Sequence, residues 1–386
     1  MNLRGGVTRL LAIVGGLVAL TGLPYAIYII LYELRKPEGS PAKKEPVEPA
    51  VSVVLPTYNE ADIVETKLED LLELDYPMEK VELVVVDSSD DETPELIEAF
   101  FEDRDAPELT LLREDERRGL AVALNEAYAA ADNEVVVKTD CDSKVAPDAI
   151  REAVANLADP DVAAVTGRNA EVLGGSKVER GYRDVQSKIQ TLESHLDSTF
   201  IFHGPFSAFE RDAIRPIDED SIADDTELAL KIRKEGGRVV FDPAIRYREA
   251  AHSSFGKRRQ QKDRRAMGLL RLLWRQRGMV GRYGKYGRVV LPFNWWFMII
   301  SPWLIAGMVG IATLGALTVG GPVGLVVPSA LAAVVLLGSR DALGPFQLLY
   351  SLFDTQVSLF RASLKLLAGK GDGTWDVDQE LREAFN

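Results

Sequence analysis

With 386 residues, 46% of them hydrophobic, the chain can bury a large core and divide into more than one structural unit. Its formal net charge of -14 argues against a nucleic-acid binder, which carries a basic face, and its single cysteine, Cys141, excludes an intramolecular disulfide and a thiolate zinc site. The three histidines, His195, His203 and His252, are too scattered for a histidine-rich metal cluster.

Residues 1–36 read as a retained transmembrane anchor. No residue from Leu10 to Tyr32 is charged, which suffices to cross a hydrocarbon core of about 30 Å as a helix. Glu33, Arg35 and Lys36 follow directly, where a signal peptide would have a small-residue cleavage site. Residues 37–50, with four prolines and mixed charge, form an extended linker.

A regular alternation then fills the first part of a domain spanning 51–250. Val51 to Leu55 predicts a strand, Glu60 to Leu74 a helix, and Val81 to Val86 a strand ending at Asp87, with a helix running through Phe100. Leu109 to Leu112, Gly119 to Ala130 and Glu134 to Thr139 continue it as strand, helix and strand. Such an order implies a mostly parallel α/β sheet with ligands bound beyond the carboxyl ends of its strands, where Asp87, Asp140 and Asp142 fall. The remainder is less regular: Lys177 to Ser198 predicts a helix, Phe206 to Phe209 a strand, and Asp225 to Glu235 a helix stopped by Gly236 and Gly237.

Residues 251–288 are dense in Arg and Lys interleaved with Leu and Trp, as suits a helix lying at a membrane surface. Residues 289–339 are uncharged and broken near Gly320-Gly321-Pro322, predicting two transmembrane helices, and 340–386 reads as an amphipathic cytoplasmic tail. Basic residues cluster after the first span (Arg35, Lys36, Lys43, Lys44) and before the second (Arg282, Lys285, Arg288), so the positive-inside rule places the central region in the cytoplasm of a multi-pass cell-membrane protein.

The chemistry concentrates at Asp140-Cys141-Asp142. Two carboxylates ending a strand offer hard oxygen ligands to Mg²⁺ or Mn²⁺, and such a cation can hold a diphosphate. An isolated pair of this kind is usually a solvated loop. Here it stands in order with Pro56-Thr57-Tyr58-Asn59-Glu60, Val86-Asp87-Ser88, Asp224-Asp225-Thr226-Glu227-Leu228 and Gln261-x-x-Arg264. Together these resemble the family 2 glycosyltransferases, the inverting enzymes that include cellulose, chitin, hyaluronan and poly-N-acetylglucosamine synthases. The resemblance covers residues 51 to about 300 and implies a GT-A fold with transmembrane helices at both ends and amphipathic interface helices.

It also implies roles. Thr57, Tyr58, Glu60 and Asp87 would border the nucleotide, Asp142 would bind the metal, and Asp140 would hold the donor and share the metal. Asp225 would be the general base that takes the acceptor proton, with Asp224, His203 and Gly204 at the acceptor site. Gln261, Arg264 and Arg265 align with the family's Q-x-x-R-W motif, whose arginine contacts the diphosphate, for which a planar guanidinium fork is suited. Other readings compete residue by residue: Thr57 or Asn59 as helix caps, Asp225 as a favourable charge at a helix start, the arginines at anionic lipid heads.

Two departures stand out. Arg265 occupies the tryptophan position of that motif, and Leu120 the lysine position of G-K-x-x-A-L-N, so Arg117 or Arg118 would supply the missing charge. The expected activity is transfer of a sugar with inversion from a nucleotide sugar, a UDP-sugar in preference to a GDP-sugar, to a polysaccharide or lipid acceptor. Three spans are few for threading a polymer, so secretion would require a homo-oligomer, and a glycolipid or polyprenyl-phosphate acceptor of a single sugar is the alternative. The Gln261 motif leans against polyprenyl-phosphate hexose synthases. A sugar nucleotidyltransferase would need a Gly-rich basic loop where Pro56 to Glu60 stand, and a non-catalytic membrane scaffold would need the acidic residues dispersed.

Overall fold

The computed structural model describes residues 3–173, 177–250, 255–319, 321–340, 342–369 and Arg382. Much of the expected tail thus lies outside the described residues. The elements run α1 (Leu3–Arg35), β1 (Val51–Thr57), α2 (Val64–Leu72), β2 (Val81–Asp87), α3 (Thr93–Phe101), β3 (Glu108–Arg113), α4 (Leu120–Ala130), β4 (Val135–Lys138), β5 (Ser143–Val145) and α5 (Ala149–Leu157). They continue with β6 (Val162–Leu173), α6 (Lys177–Leu196), β7 (Ser207–Glu210), α7 (Asp224–Glu235), β8 (Arg238–Ala250), α8 (Phe255–Arg275), α9 (Leu291–Trp295), α10 (Ser301–Val319), α11 (Gly321–Gly338) and α12 (Gln347–Leu367).

The strands form one sheet in the order β3-β2-β1-β4-β7-β6-β8-β5. Its first half is parallel, with β1 between β2 and β4 and β3 outside β2. Being covered on both faces, β1 and β2 carry nearly continuous apolar runs, and alternate residues serve different cores. Val53, Leu55, Leu83 and Val85 pack with Leu68, Ile97 and Phe100, while Val54, Val84 and Val86 pack with Leu124, Leu228 and Ile232.

The second half corrects the expectation of a mostly parallel sheet. β7 pairs antiparallel to both β4 and β6, and β5 antiparallel to β8, leaving β6 with β8 as the parallel pair there, so the sheet is mixed. β5 is only three residues long, and β6 and β8 mix charged with apolar residues, so neither shows the apolar run of a doubly covered strand.

Two helical stretches are long and apolar enough to cross a membrane, Ala12–Arg35 and Tyr286–Thr318. The third expected span falls on α11, whose apolar part Gly324–Gly338 is shorter and would rise only about 22 Å. The stretch Tyr286–Thr318, by contrast, rises about 50 Å, more than a bilayer core. Its first half is accordingly wrapped by protein: Tyr286, Val290, Leu291 and Met298 pack with Leu270 and Leu273 of α8 and Leu359 of α12. Two π-helical turns, Tyr286–Val290 and Trp296–Ile300, flank α9 in this half. Tyr28 of α1 stacks on Phe293 with ring centroids 3.5 Å apart.

Candidate active site

The carboxyl ends of β1 and β2 are joined by side chains. Thr57 Oγ1 donates to Asp87 Oδ2 at 2.6 Å, and Ser89 donates to the same carboxylate from Oγ at 2.7 Å and from its backbone N at 3.1 Å, which leaves Asp87 buried and held. Asn59 adopts a left-handed backbone with φ of 54°, which its amide pays for by bonding Asp90 at 2.6 and 3.0 Å. α2 starts only at Val64, with Ile63 as its uncapped N-cap, so neither Thr57 nor Asn59 caps it.

The Tyr58 ring lies under the Arg117 guanidinium, 3.8 Å from its centroid. Arg118 turns away to Glu114 at 2.7 Å and Glu126 at 2.5 Å. Glu60 is buried and paired with Arg382 at 2.9 Å, although burial still pushes its carboxyl up to about 7. Arg382 also reaches the Tyr58 carbonyl at 3.4 Å, bringing the end of the chain to the expected nucleotide side.

The turn after β4 is held from beneath by Lys67 of α2, wholly buried, which donates to the Ser143 carbonyl at 2.6 Å and to Thr139 Oγ1 at 3.1 Å. Lys138, 1% exposed, reaches Asp140 Oδ1 at 2.6 Å and Asp225 Oδ2 at 3.5 Å. Gly204 lies over all three: a Cβ there would come within 2.9 Å of Asp140 Oδ2, Asp225 Oδ2 and Lys138 Nζ.

Asp140 faces a cavity of about 360 Å³ that also takes in His203, Gly204, Asp224, Asp225, Gln261, Arg264 and Arg265. Apolar side chains join the lining from Leu269 of α8, Phe297 and Met298 of the second π turn and Leu359 of α12, among polar ones of the same helices such as Lys262, Thr355 and Ser358. Asp224 and Asp225 open α7, yet its N-cap is Ala223 and no side chain caps it. Asp224 Oδ2 and Asp225 Oδ1 are instead buried with no hydrogen-bond partner among the described residues. Burial, then the charge of Asp224, pushes the Asp225 carboxyl up to about 7.

Burial pulls His203 down to about 4, so it is neutral near pH 7 and its Nε2 can donate to Gln190 Oε1, 3.0 Å away. Arg265, in the place of the family tryptophan, forms an ion pair with Glu249 of β8. Arg259 pairs with Asp354 of α12 and bonds Ser358 at 3.0 Å, so it and Arg265 each have a carboxylate partner within the protein.

The donor set at β4 suits a hard divalent cation. Asp142 lies beside Asp140 and Glu249; burial first and then these like charges push its carboxyl up to about 6, a crowding that a cation would relieve. Among the described residues no three or more His, Cys, Asp or Glu gather in ligating geometry, so Asp142 and Asp140 would share a cation with oxygens of a bound diphosphate.

The structure therefore brings Asp140, His203, Gly204, Asp224, Asp225, Gln261, Arg264 and Arg265 to one cavity, and sets Thr57, Tyr58, Glu60 and Asp87 at the adjoining strand ends. Asp142, the expected metal ligand, does not line that cavity, and Arg118 belongs to neither group. Lys138, Lys67, Glu249 and Arg382 escaped sequence reasoning; a lysine inside the run Val135-Val136-Val137-Lys138 was the one visible signal, since a lysine is almost never fully buried without a partner.

The family model for glycosyl transferase family 2 matches residues 52–218. The poly-beta-1,6-N-acetyl-D-glucosamine synthase of Staphylococcus aureus (strain MSSA476) is 30% identical over 202 residues, 50% of this chain and 48% of that one. The synthase of the same name from Staphylococcus epidermidis is 29% identical over 209 residues. The chain thus spans about half the length of these curated relatives. A mannosyltransferase from Pyrobaculum calidifontis, solved in complex with GDP-Man and Mn²⁺, superposes with a TM-score of 0.80 at 30% identity, covering 94% of this chain and 99% of that one.

Proposed function

Since the chain belongs to the family 2 glycosyltransferases, we propose that it is a membrane-bound inverting transferase that moves a sugar from a nucleotide sugar to a hydroxyl group of a lipid-borne acceptor. The observation that carries this reading is one cavity lined by Asp140 and Asp225 together with Leu269, Phe297, Met298 and Leu359, Asp225 Oδ1 having no hydrogen-bond partner among the described residues.

The Asp225 carboxylate takes the proton of the acceptor hydroxyl as that oxygen bonds to the anomeric carbon from the face opposite the leaving group. The bond from the anomeric carbon to the diphosphate oxygen breaks in the same displacement, which inverts the centre and releases the nucleoside diphosphate. Arg264 and Gln261 donate hydrogen bonds to the diphosphate, and Arg117 over Tyr58 borders the base and ribose. A divalent cation held by Asp142 and Asp140 would neutralise charge growing on the departing diphosphate. His203, neutral and tied to Gln190, offers the acceptor a hydrogen-bonding edge without a charge.

The acceptor follows from the far wall. Leu269, Phe297, Met298 and Leu359 belong to elements packed around the base of the span Tyr286–Thr318, so an acceptor entering from a bilayer meets apolar side chains before it reaches Asp225. For the donor, the mannosyltransferase that matches over nearly the whole chain holds GDP-Man, which favours a GDP-hexose over the UDP-sugar expected from sequence. Chain elongation is the second reading, favoured by the two poly-N-acetylglucosamine synthases.

Purified protein in lipid nanodiscs, given Mn²⁺ and radiolabelled GDP-mannose or UDP-N-acetylglucosamine, should move label to lipid extract. Sizing the product separates one transfer from polymer growth. Full activity of Asp225→Asn would sink the assignment of the base.

A further inference from the structure

The resemblance assigns no role to Lys138, yet its ammonium stands at the centre of the site. It is 1% exposed, in a strand whose three preceding residues are valines, and it touches carboxylates from two elements far apart in sequence: Asp140 at 2.6 Å and Asp225 at 3.5 Å. Its contact on Asp225 is to Oδ2, and the other oxygen, Oδ1, is the buried atom without a partner. Gly204 closes over the group so tightly that a methyl at its α-carbon would meet all three side-chain ends at 2.9 Å.

We propose that Lys138 is a positioning residue for the transfer: by tethering Asp225 Oδ2 to Asp140 it fixes where the Asp225 carboxylate stands at the cavity and the distance between base and donor. This rests on the transferase reading above. The physical case is geometric. A carboxylate free to rotate presents either oxygen in several directions, and a displacement needs the proton acceptor, the attacking oxygen and the anomeric carbon held in one arrangement. An ammonium with three donors can hold two carboxylates at once, and a buried one has no water to replace them. The same contact joins the donor side, Asp140 after β4, to the acceptor side, Asp225 on α7, across the seam between the parallel and mixed halves of the sheet.

Two substitutions probe it by different routes. Lys138→Met removes the tether. Gly204→Ala keeps every charge and inserts a methyl among three flexible side-chain ends, which can yield without unfolding the chain but not without moving. Each should lower kcat by about 10²-fold, while KM for the donor and the affinity for Mn²⁺ with nucleoside diphosphate, read by calorimetry, stay within about threefold of the unsubstituted chain. Lys138→Arg, which keeps a cation and two donors, should recover at least tenfold of the loss. A merely structural lysine would lower stability and binding together and leave kcat of the folded fraction intact.

The inference is overturned if either Lys138→Met or Gly204→Ala turns over within threefold of the unsubstituted chain, or if the loss falls on nucleotide binding and not on kcat. If Lys138→Met does not fold, Gly204→Ala alone decides. Failure of the unsubstituted chain to transfer any sugar would overturn the transferase reading and this inference with it, whereas an active chain indifferent to these changes overturns the role of Lys138 alone.

Discussion

The proposed donor half and the proposed acceptor half of this molecule are built by different rules. From β1 to β4 the chain is local: β1, β2 and β3 are each followed by a helix, and the ends of β1, β2 and β4 lead to Thr57, Asp87 and Asp140 at one edge. The acceptor half is assembled from segments distant in sequence. The segment before β7, α7, β8, α8, the second π turn and α12 each contribute side chains, and antiparallel pairings replace the crossovers. The comparison teaches that the residues proposed for the nucleotide sit on a local frame, whereas the cavity around Asp225 depends on long-range packing, including packing beside the apolar helices.

The sharpest break of that comparison is at the base. Asp225→Asn should lower kcat by about 10³-fold and leave nucleotide binding unchanged, because it removes the proton acceptor alone. In the unsubstituted enzyme kcat should rise with pH along an acid limb near or somewhat below 7, since Asp225 works only ionised, its carboxyl is pushed up to about 7 by burial and Asp224, and a bound cation draws it back down. A flat profile from pH 5 to 8 would contradict the assignment.

Next in size is the joint between the acceptor half and the apolar helices. Glu193 of α6 is buried, accepts Asn294 Nδ2 at 2.7 Å, Thr199 Oγ1 and the Phe200 N–H both at 3.0 Å, and is pushed by burial up to about 7. A carboxyl raised in the folded state adds stability that is fully present below its unfolded value near 4.5 and is lost as pH climbs through 7. Melting temperature should therefore fall across that window, and Glu193→Gln should remove up to about 3 kcal/mol of this dependence. Scanning fluorimetry at a series of pH values checks it.

Arg382 tests whether the donor half stands alone. Arg382→Ala leaves Glu60 buried and unpaired and should cost about 2 kcal/mol, less than the roughly 3–5 typical of an orphaned buried charge because Glu60 can take a proton. Adding Glu60→Gln should restore most of it; a melting temperature unmoved by Arg382→Ala would show that the pair contributes nothing.

The smallest effect sharpens the acceptor side. Leu269→Gln puts an amide on the apolar wall and should raise KM for a lipid acceptor about tenfold, leaving donor KM unchanged. Equal effects on both substrates would argue against separate donor and acceptor walls.

Legibility followed the same division. The nearly continuous apolar runs of β1, β2 and β4, and the acidic residues that follow β2 and β4, were readable because covered parallel strands impose a local pattern. The glycine stop after α7 was readable too, Gly236 standing at φ of 112° as its C-cap. β5, β6 and β8 were not, since a three-residue edge strand and strands carrying Arg and Glu into a polar site lack that pattern. Nor was the choice between Arg117 and Arg118, adjacent residues separated only by which acidic neighbours lie within reach.

Sequence alone determined the family, the parallel frame and the identity of the acidic residues, because those depend on residue type and spacing within one βα unit. Tertiary structure decided that Lys138 lies between Asp140 and Asp225, that Arg265 is taken by Glu249, that Arg382 returns to Glu60, and that the cavity's far wall belongs to the base of an apolar helix. These join segments whose separation along the chain carries no periodic signal; the three ion pairs are fixed by the need to partner buried charge, and the wall by apolar packing, once distant segments have met.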